Sequence, residues 1–511
     1  TRVAAWCFMR PVPPRRACFT KAASDNVTPT VHYFLPLVLR ESVMTPIIEH
    51  PAEPASNASR AAASRFEPHS LRTYTPTQAV LSRSAGVFHW TPEGRRLYDY
   101  TSGVLVSNLG HNPISWTRRF FEYMGWPATG FTESKSAGVP AGYFPAVTMT
   151  AYNAVTPIET DASRRLIEVM RKAPGGTHME QVMWAASGSE AIQKALWATQ
   201  ARDRARPMIL ATRFGFHGKK GLAAAITGSE HDADRDHRVR FISFPMHECR
   251  DLADRDRPFD VTPFRQELDA LLHQFGGKIG TLITEPYLGG GGSYHPPKAY
   301  LQMLQQFCRE NDIVFILDEV QANFGRTGRL FSYETYGLEP DIVILGKGLG
   351  NGVPVAAAVG KKEIFDSLGY GEGSDTWSAN PLQCASVLAT LDEFAASDVI
   401  GHTNKVSAII EAGLVKLKSL PFVAAVRGEN GGMVWGVEMK DHADRTAAEW
   451  ANDFVLAAYK GDGANSDGIH ILGPLAKKVV RISPPLTITA EEATNSVALL
   501  HRAASKLVAA K

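Results

Sequence analysis

Cysteine is scarce in this chain: five residues, Cys7, Cys18, Cys249, Cys308 and Cys384, odd in number and scattered. That excludes the close CxxC pairs of zinc and redox sites and a disulfide framework, and it fits reduced thiols in a cytoplasmic setting. Charge of one sign is equally lacking, since 54 basic and 52 acidic residues leave a formal net charge of +2. Neither nucleic acid nor a membrane surface is therefore expected as a partner. No apolar run approaches the roughly 20 residues that cross a bilayer. The most apolar early stretch, YFLPLVL, is short and interrupted by Pro36. What is present is 511 residues, 44% of them hydrophobic, enough for two or more packed units working on small molecules.

Residues 1 to 70 mix Pro, Ala, Ser and Arg without sustained periodicity and are expected to be structureless. Before Met44, six basic residues (Arg2, Arg10, Arg15, Arg16, Lys21 and Arg40) outnumber Asp25 and Glu41. An organelle-targeting peptide would look like this. Upstream sequence ahead of a start at Met44 is the preferred reading, with no chemistry carried by residues 1–43.

From Gly86, VFHW, TPEG and RRLYDY predict a β-hairpin with Gly94 in the turn. A helix is expected around Thr160 to Arg171. QVMWAA, MILAT, GTLITE, IVFILD and DIVILG then read as buried strands separated by segments with helical spacing. Such alternation predicts an α/β fold with parallel strands and helices on both faces. From Ser397 on, helical stretches mixed with VWGVEM and VVRISPP predict a smaller α+β domain. The expected organisation is an extension over 1–70, a hairpin and arm over 71–135, a large domain over 136–396 and a small domain over 397–511.

Ligands of open parallel sheets sit beyond the carboxyl ends of the strands. Five such ends carry unusual residues here: SGSEA, RFGFHGKK, EPYLGGGG, DEVQ and GKGLGNG. SGSEA opens a probable helix whose free N–H groups suit a phosphate, although Ser187 and Glu190 also make an ordinary capping box. Asp318 and Glu319 end a buried run. The first suits an organic cation better than a metal, because no second His or acidic cluster supplies ligands; the second reads as solvent-facing. Lys347 stands among glycines, which would let a planar partner approach, and a lysine in apolar or cationic surroundings becomes a nucleophile toward aldehydes. A P-loop is excluded because Asp341 and Gly348 occupy its glycine and hydroxyl positions, and GxGxxG fails at Asn351. Lysine, acid and phosphate cup together describe a pyridoxal phosphate site, with no metal.

In order along the chain, SGSEA, FHG, TEP, LDEVQANFGRTG, GKGLGNGVP, DTWSANPL and VRISPPLTI resemble the class III, or ω-amino acid, aminotransferases, ornithine and acetylornithine aminotransferases among them. The likeness runs from about Leu71 to the C-terminus. It implies the type I pyridoxal phosphate fold, with a mostly parallel seven-stranded sheet, and ping-pong transfer of an amino group from an amino acid or ω-amine to a 2-oxo acid. It implies that Lys347 forms the Schiff base and Asp318 holds the protonated pyridine nitrogen. Gly188 and Ser189 would bind phosphate, Phe216 and Val320 would enclose the ring, Gln321 would lie near its hydroxyl, and Glu285 beside the cofactor. Thr376 would reach the cofactor phosphate of a second subunit, so a homodimer is implied. Arg481 would bind a substrate carboxylate, for which its planar fork is suited. His217 reads as structural, and Arg326 and Arg329 as holding their loop through ion pairs.

Two positions depart from the family pattern. Lys219 follows FHG where an arginine usually grips the distal carboxylate of glutamate. Gly290 stands where several branches have a glutamate that neutralises the Arg481 counterpart. Arg481 is thus expected to lack an acidic partner, and the acceptor to be 2-oxoglutarate held differently or a compound such as pyruvate. An aminomutase, a decarboxylating transaminase and a catalytically silent regulatory protein share the same features.

Overall fold

The computed structural model describes residues 48–130, 139–152, 154–233, 235–463 and 466–509. The extension expected to run to residue 70 ends earlier than that. Pro54–Phe66 is a helix, and proline is well placed in a helix's first turn. Its buried Arg60 pairs with Glu53 at 2.6 Å, and Glu53 accepts from the Tyr459 hydroxyl at 2.8 Å. This helix is polar and its anchor lies some 400 positions downstream, which is why periodicity did not reveal it. Residues 1–47, with Met44, lie outside the described residues.

Strands β1 (Arg83–Ala85), β2 (Phe88–Trp90) and β3 (Arg96–Asp99) form the expected antiparallel hairpin and its flank, Phe88 facing Tyr98. Gly94 turns at φ +83°, a region glycine enters without steric cost.

The large sheet has seven strands: β4 (Gln181–Ala185), β5 (Met208–Thr212), β6 (Val239–Ile242), β7 (Ile279–Thr284), β8 (Val314–Asp318), β9 (Ile342–Leu345) and β10 (Ala356–Gly360). Their order is β4-β10-β9-β8-β7-β5-β6, all pairs parallel except those of β10, which runs against both neighbours. The central strands are unbroken apolar runs because both faces are covered. Phe315, Leu317, Val343 and Leu345 enter one core, Ile316, Ile342 and Ile344 the other. Helix Gly188–Arg202 packs on the second face through Ala191, Ile192 and Ala195.

Toward the C-terminus, β11 (Val423–Gly428), β12 (Trp435–Met439) and, after β13 (Gly468–His470), β14 (Val479–Ile482) follow. β11, β12 and β14 make a small antiparallel sheet, whereas β13 joins β3 in parallel. Phe422 stacks on Trp450 at 4.5 Å, in a core that also takes in Trp116 and Phe120 from helix Ile114–Met124. The hairpin segment and the C-terminal elements therefore share one core. Among the described residues no helix is long and apolar enough to cross a membrane.

Candidate active site

Strand periodicity decides the roles of the two adjacent acids. Ile316 points into the core that holds helix Gly188–Arg202, so Asp318, two residues on, emerges on that helix's side. Glu319 points the other way. It is fully buried and accepts from the N–H groups of Ser332 and Tyr333, both at 2.7 Å, capping the short helix Ser332–Tyr336. The solvent-facing reading of Glu319 is thus overturned, and burial pushes its carboxyl up to about 7 against those donors. Glu319→Ala strands two buried N–H groups, at about 1–3 kcal/mol each. The variant is expected to melt several degrees lower while its cofactor absorption persists; an unchanged melting temperature in scanning fluorimetry refutes the cap.

Asp318, 4% exposed, accepts from the Val320 N–H at 3.0 Å through Oδ1. Its Oδ2 lies 2.7 Å from His217 Nδ1. Among the described residues the other nitrogen of that buried ring, Nε2, has no hydrogen-bond partner. His217 is therefore a positioning residue for Asp318, a pairing across 101 positions that no local pattern reveals.

Lys347 follows β9 in a tight turn, at φ +48°. Burial pulls its ammonium down to about 8; Arg481 acts in the same direction, Asp318 and Glu285 against it. The glycines around it differ in what they face: Gly352 lines a cavity, with nothing within 4 Å of a Cβ built there, whereas Gly348 and Gly350 are closely packed. A Cβ on Gly348 would sit 2.4 Å from Asn108 Nδ2, and one on Gly350 2.3 Å from the Val353 carbonyl oxygen. Gly348 and Gly350 thus let this turn pack tightly against its own protein.

Lys347 and Asp318 line one cavity of ≈ 340 Å³ with Gly188, Ser189, Phe216, Val320 and Gln321. Gly188 and Ser189 head the 15-residue helix, and among the described residues nothing accepts from their N–H groups. A Cβ at Gly188 would come within 3.2 Å of both Val320 methyls, closing the cradle. The donor set fits pyridoxal phosphate: two free helix-head amides for phosphate, an amine for the aldehyde, and a carboxylate beside which a ring nitrogen can keep its proton.

Behind the cavity, Glu285 accepts from the N–H groups of Phe216 at 2.8 Å and Gly289 at 3.2 Å, clamping two loops; burial, with Asp318 adding, pushes its carboxyl up to about 7. Buried Arg481 donates to Gln321 Oε1 at 2.9 Å, has an unpartnered Nε, and pairs with no carboxylate among the described residues. A Cβ at Gly290 would lie 2.9 Å from Phe216 Cβ. Phe216 thus fills the space a side chain at 290 would need.

Lys219 and Thr376 are exposed and lie outside the cavity lining. Arg326 is fully buried and donates to Asn108 Oδ1 and to the carbonyls of Met433 and Pro484, so hydrogen bonds and not ion pairs hold its loop; Arg329 is exposed. Sequence reasoning also missed Lys194. It is 4% exposed, donates to the Trp184 carbonyl and to Ser378 Oγ, and pairs with Asp375 at 2.7 Å, so it anchors the loop that carries Thr376. A lysine on the apolar face of a helix was the available signal.

The family model described as Aminotransferase class-III matches residues 144–504. The acetylornithine aminotransferase of Oceanobacillus iheyensis is 26% identical over 448 residues, 86% of this chain and 96% of that protein. The ornithine aminotransferase of Emericella nidulans is 24% identical over 435 residues, 85% of this chain and 87% of that one. Among solved structures, an amine transaminase from an uncultivated Pseudomonas species superposes with a TM-score of 0.70 at 24% identity, covering 86% of this chain and 96% of its own. The ornithine aminotransferase of Toxoplasma gondii does so with 0.71 at 20%, covering 89% and 96%.

Proposed function

Because the chain belongs to the class III aminotransferase family, and so moves an amino group from a donor to a 2-oxo acid with pyridoxal phosphate, we propose that Lys347 and Asp318 are its catalytic pair. The observation that carries this assignment is that the lysine, the acid and the helix head face one cavity. When bound, the cofactor supplies an aldehyde that captures amines and a ring that accepts electrons. Lys347 Nζ would hold the aldehyde carbon and then, freed by the incoming amine, take the proton from the donor's amine-bearing carbon. Its pKa, lowered to about 8, leaves roughly a tenth of it unprotonated at pH 7 and half at pH 8. Asp318 would keep a proton on the ring nitrogen, with His217 fixing its orientation. Gly188 and Ser189 would take the phosphate, and Phe216 and Val320 the two ring faces.

Arg481 is the proposed receptor for a substrate carboxylate. Its partner Gln321 is neutral, and Phe216 leaves no room for an acid at position 290, so its charge is permanently available. Donors and acceptors with a carboxylate near the reacting carbon are therefore favoured over plain amines, pyruvate and 2-oxoglutarate being the acceptors to compare. Lys219 could reach a distal carboxylate only from outside the lining described above. The exposed Thr376, beside Trp377 at 60% exposure, suits a homodimer in which each loop completes the other subunit's site. A cytoplasmic location accords with this chemistry.

The test is a panel of amino donors against pyruvate and 2-oxoglutarate, followed by the cofactor spectrum. α-Amino acids are expected to turn over with an acceptor present, simple amines at least tenfold more slowly, and Arg481→Gln to narrow that gap. Carbon dioxide release, or product without an acceptor, would move the assignment to a decarboxylating transaminase or an aminomutase.

A further inference from the structure

A second cluster of functional side chains lies apart from the cavity, where the hairpin meets β13. In the antiparallel register of β2 and β3, His89 faces Leu97, so His89 and Asp99 share a face of the sheet. β13 sets His470 directly beside Asp99. The bridge between Gly86 and His111 brings a third imidazole to that face. Three histidines thus surround one carboxylate in the interior, with His89 3% and Asp99 1% exposed.

The carboxylate is divided between two tasks. Oδ1 accepts from the Thr101 N–H and hydroxyl, both at 2.7 Å, and from the Ser102 N–H at 3.1 Å. Oδ2 faces the rings, 2.7 Å from His111 Nε2 and 3.4 Å from His89 Nε2. The ligand atoms of His89, Asp99 and His111 all lie within 4.8 Å of one another. Among the described residues two buried imidazole nitrogens here have no hydrogen-bond partner, His470 Nδ1 and His89 Nε2, the second having only the 3.4 Å approach to Asp99. Such groups are rare and costly unless something binds them. His89 Nδ1 lies 2.6 Å from Ser84 Oγ, the outer contact that orients a metal-binding imidazole and leaves its Nε2 lone pair free.

We propose that His89, Asp99 and His111 form a structural site for a divalent ion of the zinc type, with His470, edge-on to His89 at 5.6 Å, as its neighbour. Two imidazoles and a carboxylate suit zinc, whereas magnesium and calcium require mostly oxygen ligands. Tetrahedral bonds of about 2.0 Å set ligand atoms about 3.3 Å apart. The His89 to Asp99 spacing already matches. The His111 to Asp99 contact opens by roughly half an ångström as the ion replaces the proton between them, His111 moving that proton to its own Nδ1.

The ion's effect would reach the catalytic cavity through Asp99. The residues its Oδ1 holds begin the turn Ser102–Leu105, where Ser102, Val104 and Leu105 have φ of +48°, +66° and +60°, a region costly for side-chain-bearing residues. The next residue, Val106, lines the cavity. An ion on Oδ2 stiffens the carboxylate that restrains this turn. The expectation of no metal, drawn from residues near Asp318, did not see this cluster because its members come from separate strands and a loop.

The experiment uses the full chain loaded with pyridoxal phosphate, soaked in zinc chloride, passed through a desalting column and analysed for metal. Wild type is expected to retain close to one zinc per chain and to melt at least a few degrees higher than after chelator treatment. His89→Gln, which stays polar and keeps the cofactor spectrum, is expected to retain none and to show no zinc-dependent shift; His111→Gln serves as the second variant should the first fail to fold. Wild type that retains no zinc, or a folded variant that retains as much as wild type, overturns the site.

Discussion

Lys347→Ala is expected to lose turnover by a factor of about 10⁴ or more, because in the proposed assignment one side chain would supply both the amine for the cofactor and the shuttle for the substrate proton. The variant should still fold, since Lys347 makes no hydrogen bond through Nζ among the described residues and its turn is held by backbone bonds from Leu349 to Gly346 and Gly350 to Lys347. It should therefore bind pyridoxal phosphate through the helix head but show neither the visible absorption of lysine-linked cofactor nor a borohydride-reducible adduct. A pH series separates this assignment from a generic loss of fit. With the Lys347 ammonium drawn down to about 8 by burial, the neutral amine accumulates as pH rises through 8, so cofactor capture by wild-type apoprotein should accelerate across that range and level off above it. A midpoint near the ordinary lysine value of about 10.4, or a variant that still forms a reducible lysine adduct, removes Lys347 from its role.

What was legible in the sequence follows from how local each signal is. β8 and β9 announced themselves as apolar runs because both faces are buried, and the acid and the lysine stood out because they directly follow such runs. β10 was not recognised. Ala356, Ala357 and Ala358 favour helix by propensity, and only burial between β4 and β9 makes them a strand. Glu319 was misread because two adjacent acids look alike in a sequence, while the alternation of a strand sends them to opposite faces. The glycines around Lys347 were read for ligand approach alone, whereas Gly348 and Gly350 also pack against Asn108, 240 positions earlier, and the Val353 carbonyl. His217, Lys194 and the cluster around Asp99 are long-range pairings, invisible until the sheet brings their strands together.

Asp318→Asn gives the second large effect, and it tests electrostatics with little change of shape. Asparagine preserves the volume and can still accept from the Val320 N–H, but it removes the negative charge that would keep a proton on the ring nitrogen. A close carboxylate raises such a pKa by about one to three units, at about 1.4 kcal/mol per unit, so kcat should fall by about 10- to 1000-fold with cofactor still bound. His217→Gln leaves the charge and loosens only its placement, 2.7 Å away, so a smaller loss is expected, partly recovered in His217→Asn if that shorter amide still reaches Oδ2. Rates must be compared per cofactor-loaded chain, because Glu319→Ala lowers the folded fraction through its lost helix cap without touching the cavity. On that basis Glu319→Ala should stay near wild type while Asp318→Asn falls. Equal losses per loaded chain, or Asp318→Asn within twofold of wild type, would mean that the acid facing helix Gly188–Arg202 does not govern the chemistry.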